Sequence, residues 1–379
     1  MASLDTVVGV AMKLTCQRDE LSAKLAVAAR GVSTRTTVQI LGGVFVRAAG
    51  DVVELAATDM EISLRVSLSA DVAANGSVVL PGRLLVDIVR LLPGAEVELE
   101  YSAEEGMAHL RSGAAAFALH TYSAEDFPRL PEVEPTALFT VERTAFLDTV
   151  RRVSRSASRD ESRPVLTGIL VRFEEGKVVM AATDSYRLSV KETAIAQGPT
   201  GGVEAIVPAR ALAELQRICQ SPEGTPIEIG VQENQVVFAA DGVVLTARRI
   251  DGQFPNYRQL LPETFEAEVH VPRQELADIV RRARLMVQRN SPVRLRFEEG
   301  QLTVSAQTQD VGEARETMPL AYAGDPLEIG FNADFLLDGL ESVGDETVRL
   351  KLISALRPGM IHGESDDFLY LIMPIRLAG

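Results

Sequence analysis

The chain has 379 residues, 46% of them apolar and 24% charged, and no apolar run near the roughly 20 residues needed to cross a bilayer. That length exceeds what one hydrophobic core usually serves, so two or three domains are expected. The net charge of −15 argues against a uniformly basic nucleic-acid-binding body, yet it leaves room for a basic surface inside an acidic exterior.

Residues 1–11 lack the basic start and long apolar core of a secretory signal and are read as an N-terminal extension. An alternating strand feeding an amphipathic helix is predicted at 12–21, followed by a helix at 83–92 and a strand at 97–101. The strand–helix opening returns at 138–147, with strands at 165–173 and 177–182 and a helix at 209–220. It returns again at 267–276, with a helix at 333–342 and a strand at 348–352. Pro208 and Pro272 stand where a helix can begin, since the missing N–H has no partner there anyway. Cys16 and Cys219, far apart and without metal-type spacing, read as free thiols in a reducing cytoplasm.

These elements form a threefold repeat. The leucines closing the openings, Leu21, Leu147 and Leu276, lie 126 and 129 residues apart. Ala57-Thr58-Asp59 recurs as Ala182-Thr183-Asp184, Leu80-Pro81-Gly82-Arg83 as Val207-Pro208-Ala209-Arg210, and Phe127-Pro128 as Phe254-Pro255. The third copy diverges, with Gly330-Phe331-Asn332-Ala333-Asp334 where the Pro-x-Arg motif would stand. An α+β protein of three repeated domains follows, bounded at 12–133, 134–262 and 263–379.

The arginines are segregated. Residues 142–159 hold Arg143, Arg151, Arg152, Arg155 and Arg159, and residues 272–289 hold Arg273, Arg281, Arg282, Arg284 and Arg289. Equivalent helices with equivalent charge predict one shared basic surface for phosphate contacts without base readout. The helix at 333–342 does not fit, because Asp334, Asp338 and Glu341 make it acidic. No phosphate-loop or dinucleotide glycine pattern occurs, and His109, His120, His270 and His362 lie in separate strands without ligand spacing. One enzymatic rival is a hydrolase in which the repeated Asp59 and Asp184 share a proton; a turn-capping aspartate is the simpler account.

Three stretches are specific enough to name a family. Ala181-Ala182-Thr183-Asp184-Ser185-Tyr186-Arg187-Leu188, Phe254-Pro255-Asn256-Tyr257-Arg258-Gln259-Leu260-Leu261-Pro262 and Met373-Pro374-Ile375-Arg376-Leu377 resemble signatures of the beta sliding clamps, the DNA polymerase III beta subunits. The similarity runs in order from Met12 to Leu377. It implies a DNA clamp fold of three domains per chain, and a head-to-tail homodimer forming a six-domain ring with helices inside and sheets outside. The implied role is a non-catalytic, cytoplasmic processivity factor without cofactor or metal. It would slide on duplex DNA of any sequence and tether the replicative polymerase, clamp loader and repair proteins through short peptides.

The resemblance also carries site residues. A peptide pocket between the second and third domains would take Leu166, Thr183, Tyr186, Arg187, Leu188, Pro255 and Leu260 from one side. Phe335, Leu356, Pro358, Leu371, Met373, Pro374, Ile375 and Arg376 would come from the other, an apolar trough with arginines at its rim. Duplex contacts would be Arg35, Arg83, Arg163 and, by repeat equivalence, Arg210. The dimer seam would set Phe117 and Leu119 against Leu285 of the other chain, with Arg284 beside it a departure from an apolar pair. A clamp-like paralogue, binding peptides as a scaffold without being the replicative ring, is the alternative.

Overall fold

The computed structural model describes residues 10–33, 37–130, 138–196, 198–199, 202–221, 224–288, 291–308 and 311–377. The first third runs β1 (Val10–Gln17), α1 (Arg18–Ala28), β2 (Gly43–Ala49), β3 (Val52–Thr58), β4 (Ile62–Ser69), β5 (Asp71–Ala74), β6 (Gly76–Pro81), α2 (Gly82–Leu91), β7 (Glu96–Ser102), β8 (Met107–Ser112) and β9 (Ala115–His120). The second runs β10 (Leu138–Val141), α3 (Arg143–Ser154), α4 (Pro164–Thr167), β11 (Gly168–Glu174), β12 (Lys177–Thr183), β13 (Arg187–Ala194), β14 (Val203–Pro208), α5 (Ala209–Ile218), β15 (Ile227–Val231), β16 (Gln235–Ala240) and β17 (Val243–Arg248). The third runs β18 (Ala267–Pro272), α6 (Arg273–Arg284), β19 (Val293–Glu298), β20 (Gln301–Thr308), β21 (Gly312–Pro319), β22 (Leu327–Phe331), α7 (Ala333–Ser342), β23 (Thr347–Leu352), β24 (Gly359–His362) and β25 (Phe368–Ile372). Apart from the extra β5 and the one-turn α4, each third is a strand, a helix, four strands, a helix and three strands.

Sequence period sets these elements. In β4, Ile62, Leu64, Val66 and Leu68 are buried and the residues between them are not, as a strand with one covered face requires. In α1, Leu21, Leu25 and Ala28 fall on one covered stripe; each buried leucine contributes about 2 kcal/mol. The predicted strand at 165–173 begins only at Gly168, because Pro164 opens a helical turn first. The prolines before α2 and α6, Pro81 and Pro272, occupy the cap position rather than the first helical residue.

Two compact units result. Unit 1 comprises Met1–Arg143 with Glu214–Arg249, and unit 2 comprises Thr144–Ala213 with Ile250–Gly379. Unit 1 holds a five-stranded sheet, β5-β1-β7-β8-β9, and an eight-stranded one, β10-β15-β16-β17-β4-β3-β2-β6. Unit 2 holds an eight-stranded sheet, β18-β23-β24-β25-β13-β12-β11-β14, and a four-stranded one, β21-β20-β19-β22. The two large sheets have the same order, strand for equivalent strand. Each is spliced from the last half of one third and the first half of the third before it, through β17–β4 and β25–β13. Both cysteines are buried; burial, with Glu20 nearby, pushes the Cys16 thiol up to about 12, so it stays protonated and inert.

The arginine that opens the first helix of each third is a structural clip, which corrects the counting of Arg143 and Arg273 as phosphate-facing charge. Arg18 donates to the Leu92 carbonyl at 2.9 Å, and Arg273 to that of Asp345 at 2.7 Å. Arg143 is the most enclosed, with its side chain 3% exposed and bonds to Thr225 O at 2.7 Å, Ser221 O at 3.1 Å and Asp241 Oδ2 at 2.7 Å. A Cβ on Gly224 would lie 1.8 Å from its guanidinium, so only glycine fits beside it. Each clip ties a helix start to the loop after the repeat's second helix.

The four histidines stand in β8, β9, β18 and β24. His362 on β24 is buried with no partner for Nδ1. Burial first, then Lys351 and Arg349, hold its pKa below the usual imidazole value. A base depressed on folding contributes stability that is whole above pH ~6.5 and is lost as pH falls through the folded value. The melting temperature is therefore expected to decline from pH 6.5 to 5, before carboxylates titrate. In His362→Gln that slope should vanish, which a thermal-melt series across the window measures.

Candidate functional site

In unit 2 the ends of β13, β25 and β24 lie side by side. Arg187 pairs with Ile372 and Ile372 with Gly359, which places Tyr186, Met373 and Pro358 in one row just past the strand ends. The Met373 N–H donates to Tyr186 O at 2.8 Å, and the Ile375 N–H donates to Gly330 O at 2.8 Å, which fixes the tail holding Pro374 between two strand ends. Beneath the row, Leu188, Leu371, Phe254 and Tyr257 belong to a buried apolar cluster. Leu260, Leu356, Met373 and Tyr186 are exposed, Tyr186 by 61%. Leu166, Thr183, Leu188 and Leu371 are buried, so they support the surface rather than form it. Pro255 sits between the buried Phe254 and the turn that ends at Leu260.

A tight turn presents Tyr186 and Arg187. Ser185 has φ of 79°, held by Thr183 and Asp184. Thr183 Oγ1 donates to Arg187 O at 2.7 Å, and Asp184 Oδ1 accepts the N–H groups of Tyr186 and Arg187 at 2.9 and 3.1 Å. Unit 1 builds the same turn from Thr58, Asp59 and Met60, with φ of 77° at Met60, and Asp59 Oδ1 accepts from Glu61 and Ile62 at 3.0 and 2.9 Å. Asp59 and Asp184 are thus turn caps with occupied oxygens, and the dyad reading has no footing.

Arg187 is not the rim cation that the sequence suggests. Its side chain is 10% exposed, Nε donates to Asp184 at 3.0 Å and Nη1 to Asp338 at 2.5 Å. Its guanidinium lies 4.3 Å from the centre of the Phe335 ring, which also stacks on Tyr186 at 6.4 Å. Phe335 is set by the α7 cap, where Asn332 Oδ1 accepts the Phe335 N–H at 3.1 Å. Burial opposes the Arg187 charge, but Tyr370, Asp338 and Asp184 outweigh it and raise the pKa. Arg376 is exposed at the tail and makes no ion pair among the described residues. A cavity of about 860 Å³ adjoins this surface and shares Tyr186, Arg187 and Phe335 with it.

The acidic α7, the misfit of the sequence, has partners here. Asp338 and Glu341 take Arg155 at 3.1 and 2.6 Å, Glu341 takes Arg281 at 2.8 Å, and Asp334 takes Arg284 at 2.6 Å. Arg281, then Arg155, hold the Glu341 carboxyl below its ordinary range. Arg151 and Arg152 pair with Asp148, and Arg282 pairs with Glu316. The expected basic surface is therefore largely neutralised, in part by Asp148 on α3 itself and in part by acids on other elements, which a count along each helix cannot see. The exposed pair of Arg282 with Glu316 contributes little to stability.

The proposed duplex contacts fall out unevenly. Arg83 is exposed at the start of α2 with no ion pair among the described residues, and Arg210 is exposed at the start of α5. Arg163 is held by Asp160 at 2.9 Å and Ser185 at 3.0 Å. Arg35 and Arg289 lie outside the described residues. Of the seam residues, Phe117 is 41% exposed on edge strand β9 and Leu285 is 76% exposed at the end of α6, whereas Leu119 is buried within its own chain.

Comparison with known proteins agrees over nearly all of the chain. The models for the N-terminal, central and C-terminal domains of the DNA polymerase III beta subunit match residues 12–131, 140–256 and 258–376. The beta sliding clamp of Streptomyces coelicolor is 34% identical, covering 97% of this chain and 100% of the relative. A beta sliding clamp homolog, GriR, of Streptomyces muensis is 32% identical over 96% of this chain and 99% of its own. The Bacillus subtilis sliding clamp structure superposes with a TM-score of 0.93 at 28% identity, covering 97% of this chain and all of that one. The Pseudomonas aeruginosa clamp bound to griselimycin gives 0.90 at 28% identity, with the same coverage. Three repeated α+β clamp domains, the paired Thr-Asp turns and these matches place the chain in the DNA polymerase III beta subunit family, the beta sliding clamps.

Proposed function

We propose that the chain is the non-catalytic, cytoplasmic processivity factor of a replicative DNA polymerase. Two copies close head to tail around duplex DNA and hold the polymerase, clamp loader and repair proteins by short peptides at the unit 2 surface. The observation that carries the ring is strand order. β17 joins β4 and β25 joins β13, and the same joint made a third time sets β9 against β21 of a second copy. Both are edge strands within one chain, and closed rotational symmetry removes such edges. Phe117 on β9, and Leu285 at the end of the helix packed on β21, supply apolar surface for that seam. The domains are assigned as 12–133, 134–262 and 263–379.

Arg83, Arg210 and Arg163 are the candidate phosphate contacts. With most helical arginines already paired, the grip is weak and sequence-independent, which suits a body that must slide. For the tether, the exposed Tyr186, Leu260, Leu356 and Met373 suit apolar peptide side chains. The match to a relative described as a clamp homolog favours a second reading, a peptide-binding paralogue outside the replicative ring.

The test is retention on DNA. The protein should run as a dimer, stay on closed circles and leave when the circle is cut; equal loss from both forms sinks the ring. Phe117→Asp with Leu285→Asp should yield monomers that are not retained yet still bind peptide.

A further inference from the structure

We propose that Asp338 is a specificity-determining residue of the peptide pocket: by taking up donors of Arg187 it bars that arginine from receiving a ligand carboxylate. The inference rests on the peptide-binding reading above. An arginine that recognises a carboxylate offers two parallel N–H bonds from a free edge of its fork. Arg187 has no such edge to spare. Nε is given to Asp184 at 3.0 Å and Nη1 to Asp338 at 2.5 Å, so each edge of the fork already has one donor taken. Phe335 covers a face of the guanidinium.

Asp338 cannot easily yield its place. Its other oxygen accepts from Arg155 Nη1 at 3.1 Å, and Arg155 is also bound to Glu341 at 2.6 Å, which in turn takes Arg281 at 2.8 Å. The aspartate is thus braced by a ladder that links Arg155, just past the end of α3, with α6 and α7. The adjoining cavity of about 860 Å³ is lined by six arginines and five acids, so without the acids it would be an anion receptor. Asp184 and Asp338 both touch the arginine next to Tyr186, and Asp338 is the one that reaches it from α7. With Asp338 in place the pocket selects peptides that present uncharged groups at Arg187.

Two synthetic peptides read this directly on the full-length protein: acetyl-Ser-Leu-Ala-Leu-Phe-amide and the same peptide with a free C-terminal carboxylate. Wild type should prefer the amide. Asp338→Asn should shift the affinity ratio roughly ten-fold toward the acid, and Asp338→Glu should stay near the wild-type ratio. Adding Arg187→Leu to Asp338→Asn should return the ratio to that of the wild type, because the freed fork is gone. An equal loss on both peptides makes Asp338 a structural brace only and overturns the proposal, as does an unchanged ratio at unchanged affinity. If wild type binds neither peptide, the pocket reading itself fails, a result distinct from any change in ratio.

Discussion

Arg143→Ala is expected to cost about 3–5 kcal/mol, read as a lowered urea midpoint at constant slope. The side chain is almost wholly enclosed, and its removal strands the Ser221 and Thr225 carbonyls and leaves Asp241 without its cation. Arg143→Lys should recover little, because a lysine cannot serve three acceptors from one planar fork. Arg282→Ala is the control: its bonds to Glu316 are solvent-exposed, so a change within roughly 0.5 kcal/mol is expected. Equal effects at the two sites would show that Arg143 is no clip.

Phe335→Ala should weaken binding of the acetyl-Ser-Leu-Ala-Leu-Phe-amide peptide about 30-fold. The ring supports both the Arg187 guanidinium and Tyr186, contacts worth roughly 1 kcal/mol apiece, and a central aromatic anchor of this kind behaves as a hot spot. Phe335→Leu retains bulk without the π face and should fall between. Since Phe335 is only half-buried, the melting temperature should move little. A large drop in melting temperature with unchanged peptide affinity would contradict this role.

The repeat was legible because its landmarks are local. The Thr-Asp turn reads from four residues, and the predicted helix at 333–342 matches α7 residue for residue. What the sequence hid depends on distance. Arg155, Arg281 and Arg284 look like a cationic face until α7 brings Asp338, Glu341 and Asp334 against them. The acidity of α7 was the available signal, seen as an exception rather than as the counter-charge. Arg187 likewise reads as a rim cation because its partner Asp338 is 151 residues away.

The spliced sheets also bear on how the chain is made. Leu64 of β4 takes its place opposite Leu245 of β17, about 180 residues later. During synthesis the first third therefore emerges with β4 exposed and must wait for the second before that sheet can be completed. The second third waits in the same way on β25, beside β13, at the end of the chain. Long-range pairing of this kind is slow and leaves open edges while it waits. An excised middle third would lack a neighbour for both β13 and β17, so cutting the gene at the repeat boundaries is a poor route to soluble pieces. Cuts that follow the sheets would have to interleave segments from distant parts of the chain.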